Sequence, residues 1–169
     1  IPAEGTLSPR GGRRVPTSFF EGDPEYNAFQ RQQRMLGYLF EHQIGEGWTL
    51  RHNLRYLAAS THLEQVYAYG WSGPTTLTRY TSGADERLHA WTVDNQLQYD
   101  TRTGPVGHTL LLGLDHQTRK VAGQWSSGSA SDIDAFAPQY GNALVGDRYV
   151  AAVDRELRQT GIYLQDQLA

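Results

Sequence analysis

Cysteine is absent from this sequence, and neither basic residues nor long apolar runs are plentiful in it. Without cysteine, the chain can form neither a disulfide framework nor a thiolate metal site. Lys and Arg number 15 against 18 Asp and Glu, a net charge of −3, whereas a nucleic-acid-binding protein usually carries a basic stripe. No apolar run approaches the roughly 18 residues that a transmembrane helix requires. These absences argue against disulfide-stapled, nucleic-acid-binding and helical membrane proteins.

Alternation of apolar and polar residues is the main structural signal. It is clearest over positions 48–69, where the even positions of the first half are mostly apolar or aromatic and the odd positions include Arg51, Asn53 and Arg55. Successive side chains of a strand point to opposite faces. No strong breaker interrupts this run of 22 residues, whereas strands of soluble proteins mostly have about 5 to 6. Such a strand is typical of a transmembrane barrel, whose apolar face meets lipid and whose polar face meets a wet lumen.

The same alternation predicts five strands joined by connections of two lengths. Strands are expected at about 31–42, 48–69, 87–101, 108–117 and from 159 onward. Short turns are expected near 43–47 and 102–106, and long loops near 1–27, 71–85 and 123–155. Outer-membrane barrels likewise have short periplasmic turns and long extracellular loops. The predicted fold is all-β, with residues 1–169 forming part of an antiparallel up-and-down transmembrane β-barrel.

The histidines and loop carboxylates show no metal-binding or catalytic pattern. The six histidines are spread singly along the chain, without an HxH or HExxH arrangement. Asp132 and Asp134 lie in a segment rich in Gly, Ser and Ala, where we expect them to be solvated. No Gly-x-Ser-x-Gly motif occurs. We therefore expect neither an enzyme nor a metal or cofactor bound by the protein itself.

Several motifs, taken together and in order, resemble one known family. They are GRRVPTSFFEG, YNAFQRQQRMLGYLFEH, WTLRHNLRY, QVYAYGW, VDNQLQ, GHTLLLGLDHQ and TGIYLQDQ. The set is similar to the barrel of TonB-dependent ferric-siderophore receptors, especially the ferrichrome and hydroxamate branch, and it covers nearly the whole chain. The resemblance implies a barrel of about 22 strands with an N-terminal plug. It also implies a location in the bacterial outer membrane, in contact with its lipid, and uptake of a ferric siderophore with energy from the TonB complex.

Several parts of the complete family pattern are missing from this sequence. It contains no plug domain, no energy-coupling box and no closing aromatic C-terminal strand. About five strands cannot close such a barrel, because unpaired strand edges are not tolerated in lipid. We therefore expect a piece of a longer receptor, in which TonB would act through the missing plug. Docking of phages or bacteriocins, which exploit the loops of this family, is a further expectation.

The resemblance also assigns a binding role to four aromatic residues. The chelator already ligates the iron of a ferric siderophore, so the receptor needs a concave aromatic surface rather than metal ligands. Tyr67 and Tyr69 match tyrosines that line the chelate pocket in the ferrichrome-receptor branch, and they share parity with the inward Arg51. Trp71 continues that parity, and Trp125 loosely matches an aromatic position of the family.

The remaining polar and aromatic positions are assigned to the two faces of the barrel wall. The expected lumen-wall or plug-facing residues are Arg51, Asn53, Arg55, Asp94, Gln96, Gln98 and Asp115. The rings of Trp48, Trp91 and Tyr99 are expected to face lipid or the headgroup level, which amphipathic rings prefer. Tyr80, in the predicted 71–85 loop, is a weaker candidate for the binding site.

Two other functions remain open from the sequence. A soluble all-β binding module could use the four aromatic candidates as a stacking platform for a carbohydrate or another small ligand. An all-β hydrolase could instead use the carboxylates of Asp132 and Asp134.

Overall fold

The computed structural model describes residues 3–169, which contain five β-strands in one antiparallel sheet. The strands are β1 (Ala28–Gly45), β2 (Trp48–Trp71), β3 (Thr76–Thr103), β4 (Val106–Asp134) and β5 (Tyr149–Leu168). They pair in chain order, so β1 and β5 each have one neighbour. Within the described residues, the helical structure is a single 3₁₀ turn at Pro24–Tyr26. No helix in this part of the chain is long and apolar enough to cross a membrane. The predicted all-β class is confirmed.

Two tight turns join β1 to β2 and β3 to β4. Gly47 has φ 74° and Gly104 has φ 62°, a left-handed backbone that residues with a Cβ rarely adopt. A Cβ on Gly47 would also lie 2.5 Å from the carbonyl oxygen of Asp100. Both the backbone and the available space therefore require glycine at position 47. The short turns expected near 43–47 and 102–106 are confirmed.

The prediction of a loop at 71–85 is wrong, because most of these residues belong to β3. The connection between β2 and β3 is limited to residues 72–75. Beyond it, Leu77, Arg79 and Thr81 are buried and alternate with more exposed neighbours. Two of these three buried side chains are polar, so burial alternates along the strand while polarity does not. A pattern of hydrophobicity could not reveal such a strand.

The loop expected at 123–155 is shorter than predicted. Both β4 and β5 extend into it and leave 135–148 as the connection. Side chains come close to this part of β4: a Cβ on Gly128 would lie 3.1 Å from Cγ of Arg148. This crowding favours glycine at position 128, although a glycine among serines in the sequence alone is typical of a loop.

The chain forms two compact units, and all five strands contribute residues to both. Unit 1 contains the chain up to Arg31 together with residues 60–86 and 123–153. Unit 2 contains residues 32–59, 87–122 and 154–169.

The irregular segment 3–27 packs against one face of the strands in unit 1. Two buried clusters join the segment to the strands. One contains Val15, Phe19, Leu77, Ile133 and Ala135, and the other contains Tyr26, Val66, Ala130 and Ala143. Removing apolar surface from water stabilises such packing by about 25 cal/mol per Å². Residues 3–27 of the first long loop, expected near 1–27, therefore lie on the sheet as a covering segment, and residues 1–2 lie outside the described residues.

A buried arginine anchors this segment. Arg79 is 1% exposed, and its guanidinium donates to the carbonyl oxygens of Gly22 at 2.7 Å and Ser131 at 2.8 Å. Asp23, also 1% exposed, accepts the backbone N–H of Gly141 at 2.9 Å. Buried polar groups are costly unless they are hydrogen-bonded. These bonds therefore fix the segment to β3, β4 and the 135–148 loop.

We predict that Arg79→Met loosens segment 3–27. The carbonyl groups of Gly22 and Ser131 would lose a buried donor, at a cost of about 1–3 kcal/mol each. Local opening should then become more frequent, and trypsin should cleave the arginines of the segment about tenfold faster or more in the intact protein. A digestion time course followed by mass spectrometry measures this rate. Arg87→Met, at an exposed position of β3, should leave it unchanged. An unchanged rate in Arg79→Met would contradict the anchoring role.

Candidate functional site

Three tyrosines form a cluster on β2 and β3 in unit 1. The ring centroid of Tyr80 lies 6.3 Å from that of Tyr67 and 5.4 Å from that of Tyr69. Tyr69 is 76% exposed, and the other two are each 37% exposed. Their rings offer apolar faces, and their hydroxyl groups can donate or accept hydrogen bonds. This tyrosine cluster is an exposed surface that could contact a ligand.

The tyrosine cluster lies on the face of unit 1 that segment 3–27 does not cover. Val66 and Ala68 contact the two buried clusters. Because consecutive side chains of a strand point to opposite faces, Tyr67 and Tyr69 point away from the segment. We call this side of unit 1 the open face. The structure thus brings together two of the four predicted binding residues.

Tyr80 belongs to the same cluster, although the sequence placed it in a loop. The position of the short turn at 72–75 could have identified Tyr80 as a strand residue opposite Tyr67. In an antiparallel pair, residues equally distant from the turn lie opposite each other. Positions 67 and 80 satisfy this condition once the turn is placed correctly.

Trp71 does not join the cluster, so the expectation from its parity is wrong. Its indole Nε1 donates to the carbonyl oxygen of Glu4 at 3.0 Å, and its ring packs against the buried cluster that contains Val15. The guanidinium carbon of Arg10 lies 4.6 Å from the ring centroid. Since β2 ends at Trp71, strand alternation no longer fixes the direction of this side chain.

Trp125 pairs with a carboxylate that the sequence did not indicate. It lies on β4, and its indole Nε1 donates to Oε1 of Glu86 on β3. The Trp125 side chain is 40% exposed. Whether it contacts a ligand stays a prediction.

A cleft of about 150 Å³ is also present in unit 1. Its lining includes Tyr26, Glu64, Asp85, Arg148 and Val150, together with the predicted binding residue Trp125. The guanidinium of Arg148 donates to the hydroxyl of Tyr26. Because Tyr26 belongs to the covering segment, the cleft lies on the covered side and not with the tyrosine cluster.

A histidine beside this cleft is paired with carboxylates. Nδ1 of His62 lies 2.7 Å from Oδ1 of Asp85, and its Nε2 lies 4.0 Å from Oε2 of Glu64. The hydrogen bond with Asp85 raises the pKa of His62, against a smaller opposing effect of desolvation, and the charges of both carboxylates also raise it. Among residues 3–169, no three His, Asp or Glu side chains are grouped so that they could hold a metal ion.

Asp132 and Asp134 hold the end of β4 beside the β2–β3 turn. The hydroxyl of Ser72 donates to Asp132 at 3.0 Å, and that of Thr75 donates to Asp134 at 2.7 Å. The bond from Thr75, followed by the backbone N–H of Phe136, lowers the pKa of Asp134. Asp134 is half-buried, so the expectation that both carboxylates are simply solvated is wrong for this residue. These contacts give both groups a structural role.

Polar residues predicted for the lumen wall interact within unit 2. Arg51 donates through Nε to Glu41 at 2.6 Å and through Nη1 to Gln98 at 2.7 Å. Gln98 in turn donates to Asp100 at 2.8 Å. Arg55, predicted for the same face, is exposed. The sequence did not name Glu41 or Asp100 for this network.

Asp94 is a second centre of this polar network. Its carboxylate accepts hydrogen bonds from Gln96 and from the Tyr163 hydroxyl at 2.8 Å each, and from Asn53 at 3.4 Å. Asp115 lies on β4 beside β5, where a Cβ on Gly161 would come within 2.6 Å of its Oδ1. The structure therefore places the predicted residues on neighbouring strands, while contact with a plug stays a prediction.

Aromatic residues of unit 2 pair with one another across strands. Trp48 stacks on Tyr99 at 4.3 Å between ring centroids, and Trp91 lies 4.5 Å from Tyr56. Exposed large apolar side chains in this unit include Leu36, Phe40, Leu50, Leu112, Leu114, Ile162 and Leu164. Contact of these side chains with lipid stays a prediction.

Known proteins match the chain along nearly its full length. The model of the family described as TonB dependent receptor-like, beta-barrel matches residues 3–169. The ferrioxamine B receptor of Salmonella typhimurium (strain LT2) is 41% identical over 172 residues, which cover 100% of this chain and 24% of the relative. The ferrioxamine receptor of Yersinia enterocolitica is 34% identical over 177 residues, which cover 99% of this chain and 24% of that relative. The ferrichrome outer membrane transporter/phage receptor of Escherichia coli (strain K12) is 32% identical over 199 residues, which cover 99% of this chain and 26% of that relative. The chain thus spans about a quarter of the length of these relatives.

The titration of His62 tests its pair with Asp85. We expect a pKa above the ordinary histidine value of about 6.5, because Asp85 stabilises the imidazolium. Any contribution of the pair to stability is then complete below that ordinary value and is lost as pH rises through the raised pKa. Nuclear magnetic resonance of the histidine-labelled protein measures the midpoint. Asp85→Asn should lower it more than Glu64→Gln does, and an unchanged midpoint in Asp85→Asn would contradict the assignment.

Proposed function

The chain belongs to the TonB-dependent receptor β-barrel family, and on this basis we propose that it forms part of the wall of a bacterial outer-membrane receptor for a ferric siderophore. The family is one of receptors rather than enzymes. The named relatives are receptors or transporters for ferrioxamine or ferrichrome. Both compounds are ferric hydroxamates, which favours a hydroxamate as the ligand of this chain.

The tyrosine cluster on the open face is the observation that carries this proposal. A ferric hydroxamate presents a bulky surface of methylene groups and hydroxamate oxygens, with the iron already ligated. Tyr67, Tyr69 and Tyr80 can contact the methylene groups with their rings and donate hydrogen bonds to the oxygens. The protein needs no metal ligand for this task, since the iron arrives inside the chelate.

The remaining surfaces of the chain would serve the rest of the receptor. The exposed apolar side chains of unit 2 suit contact with outer-membrane lipid. The network around Arg51 and Asp94 suits a hydrated lumen wall that faces a plug domain. Transport would require that plug and the TonB complex, which we expect the longer protein to engage. Docking of phages or bacteriocins also stays a prediction.

We predict that Tyr67→Ala and Tyr80→Ala each weaken binding of a ferric hydroxamate about tenfold in the intact receptor. Truncating an aromatic residue at the centre of a binding surface commonly costs more than about 1 kcal/mol, and about 1.4 kcal/mol corresponds to tenfold. Quenching of tryptophan fluorescence by a panel of ferric siderophores measures the affinity. Saturable quenching by hydroxamates and not by other chelates is the expected pattern.

A matched control separates the tyrosine cluster from exposed tyrosines in general. Tyr149 is 72% exposed, close to the exposure of Tyr69, but it lies on β5. Tyr149→Ala should therefore bind the chelate as wild type does. Wild-type affinity in both cluster variants would place the binding site elsewhere, and an absence of binding to any ferric siderophore would refute the receptor function.

A further inference from the structure

Three polar residues form a row on the open face, beside the tyrosine cluster. They are Gln65 on β2, Ser82 on β3 and Ser127 on β4, and we call them the polar row. Gln65 precedes Tyr67 by two positions, and Ser82 follows Tyr80 by two. Alternate residues of a strand share a face and lie about 7 Å apart. Both side chains therefore point to the open face, next to the two paired tyrosines.

The pairing register of β2 and β3 places Gln65 opposite Ser82. In this register, Nδ1 of His62 lies 2.7 Å from Oδ1 of Asp85. Five positions further along β2, the rings of the two paired tyrosines lie 6.3 Å apart. Gln65 and Ser82 occupy facing positions between these two pairs. Residues that face each other across antiparallel strands have Cβ atoms about 4.5–5.5 Å apart, so the two side chains are neighbours.

Contacts on the covered side fix the register of β3 and β4. A Cβ on Gly83 would lie 2.5 Å from Oγ of Ser126, and a Cβ on Gly128 would lie 3.1 Å from Oγ1 of Thr81. Position 83 is therefore opposite 126, and position 81 is opposite 128. The two serines of the polar row lie between these pairs and face each other. Their side chains point away from the covered side, which continues the row across three strands.

The side chains of the polar row bind no other protein group. Among residues 3–169, none of the three forms a side-chain hydrogen bond, whereas the polar side chains around Arg51 and Asp94 in unit 2 bind one another. Gln65 and Ser82 are half-buried, and Ser127 is exposed. One amide and two hydroxyl groups are thus free to bind a ligand that lies on the open face.

The chemistry of the polar row matches that of a secondary amide. The Gln side chain has two N–H donors and an oxygen acceptor, and each Ser hydroxyl both donates and accepts. A secondary amide presents one N–H donor and one carbonyl acceptor, so both of its groups find partners here. The row contains no ionisable side chain, and it therefore suits a neutral amide better than a charged group.

We infer that Gln65, Ser82 and Ser127 bind secondary amides in the linkers of a ferric hydroxamate whose chelate contacts the tyrosine cluster. The inference rests on the proposed function and refines it, because it identifies the part of the ligand that is recognised beyond the chelate. Linkers join the hydroxamates and lie at the rim of the chelate, next to the tyrosine rings. A linker without an N–H group offers no donor to the oxygen atoms of the polar row.

Two chelates that differ in one kind of group test this selectivity in the intact receptor. One is a synthetic ferric trihydroxamate whose linkers contain secondary amides, and the other is the same chelate with each linking amide replaced by an ester. An ester keeps the planar shape and the carbonyl oxygen but lacks the N–H. Isothermal titration calorimetry gives both affinities. Wild type should bind the amide chelate about threefold to tenfold more tightly, as expected for the loss of about one hydrogen bond.

Two variants separate the polar row from the tyrosine cluster. The double variant Gln65→Met/Ser127→Ala removes polar groups of the row with little change in backbone preference, and it should bind the two chelates equally. The loss should fall on the amide chelate alone. Tyr67→Ala should instead weaken both chelates by the same factor and keep the wild-type preference, because its ring contacts the chelate and not the linker.

Ser126→Ala is the matched control. It removes the same hydroxyl one position away, on a side chain that points to the covered side. This variant should keep the wild-type preference, and an equal loss of preference here would overturn the inference. Equal affinities of wild type for the two chelates, or an unchanged preference in the double variant, would also overturn it while leaving the receptor function intact. Failure of wild type to bind either chelate would overturn the proposed function itself.

Discussion

The buried guanidinium of Arg79 joins parts of unit 1 that are distant in the sequence. It binds carbonyl groups of segment 3–27 and of β4 from its position on β3. The apolar clusters on either side pack the same segment against the strands. Covering one face in this way satisfies the polar backbone of the segment and leaves the other face open. The tyrosine cluster therefore lies on the face opposite to the one that these interactions cover.

In unit 2, polar side chains and aromatic side chains each form contacts with side chains of neighbouring strands. The charged and amide side chains around Arg51 and Asp94 bind one another across β1, β2, β3 and β5. The rings of Trp48 and Tyr99 stack on neighbouring strands, as residues of one face do. Cross-strand pairs of both kinds stabilise a sheet by a few tenths of a kcal/mol to about 1 kcal/mol each. The odd or even position of a residue was enough to predict which of these side chains share a face, because polar and apolar residues alternate regularly along the strands of unit 2.

Strand number, strand order and the two tight turns could be predicted because they depend on alternation and on glycine. The extensions of β3 and β4 could not, since their buried positions are occupied by Arg79, Thr81 and small residues instead of an apolar row. Tyr80 was undervalued for the same reason, as its pairing follows only from a correctly placed turn. The direction of Trp71 depends on a tertiary contact with Glu4 that no local pattern encodes. The proposed binding role of Tyr67 and Tyr69 came from family resemblance, and the structure supplies the face that they share.

The two outer strands of the sheet have a consequence for the receptor that we propose. β1 has 18 residues and β5 has 20, and each has a hydrogen-bonded neighbour on one side within this chain. In the proposed receptor, the strands that pair with β1 and β5 would have to match long rows of backbone donors and acceptors. A shift of one residue in the pairing register at β1 or β5 would exchange the inward and outward side chains of the strand that pairs with it. Since the stagger between strands also sets the tilt and diameter of a closed barrel, the pairing at β1 and β5 would help to determine the bore of the proposed receptor.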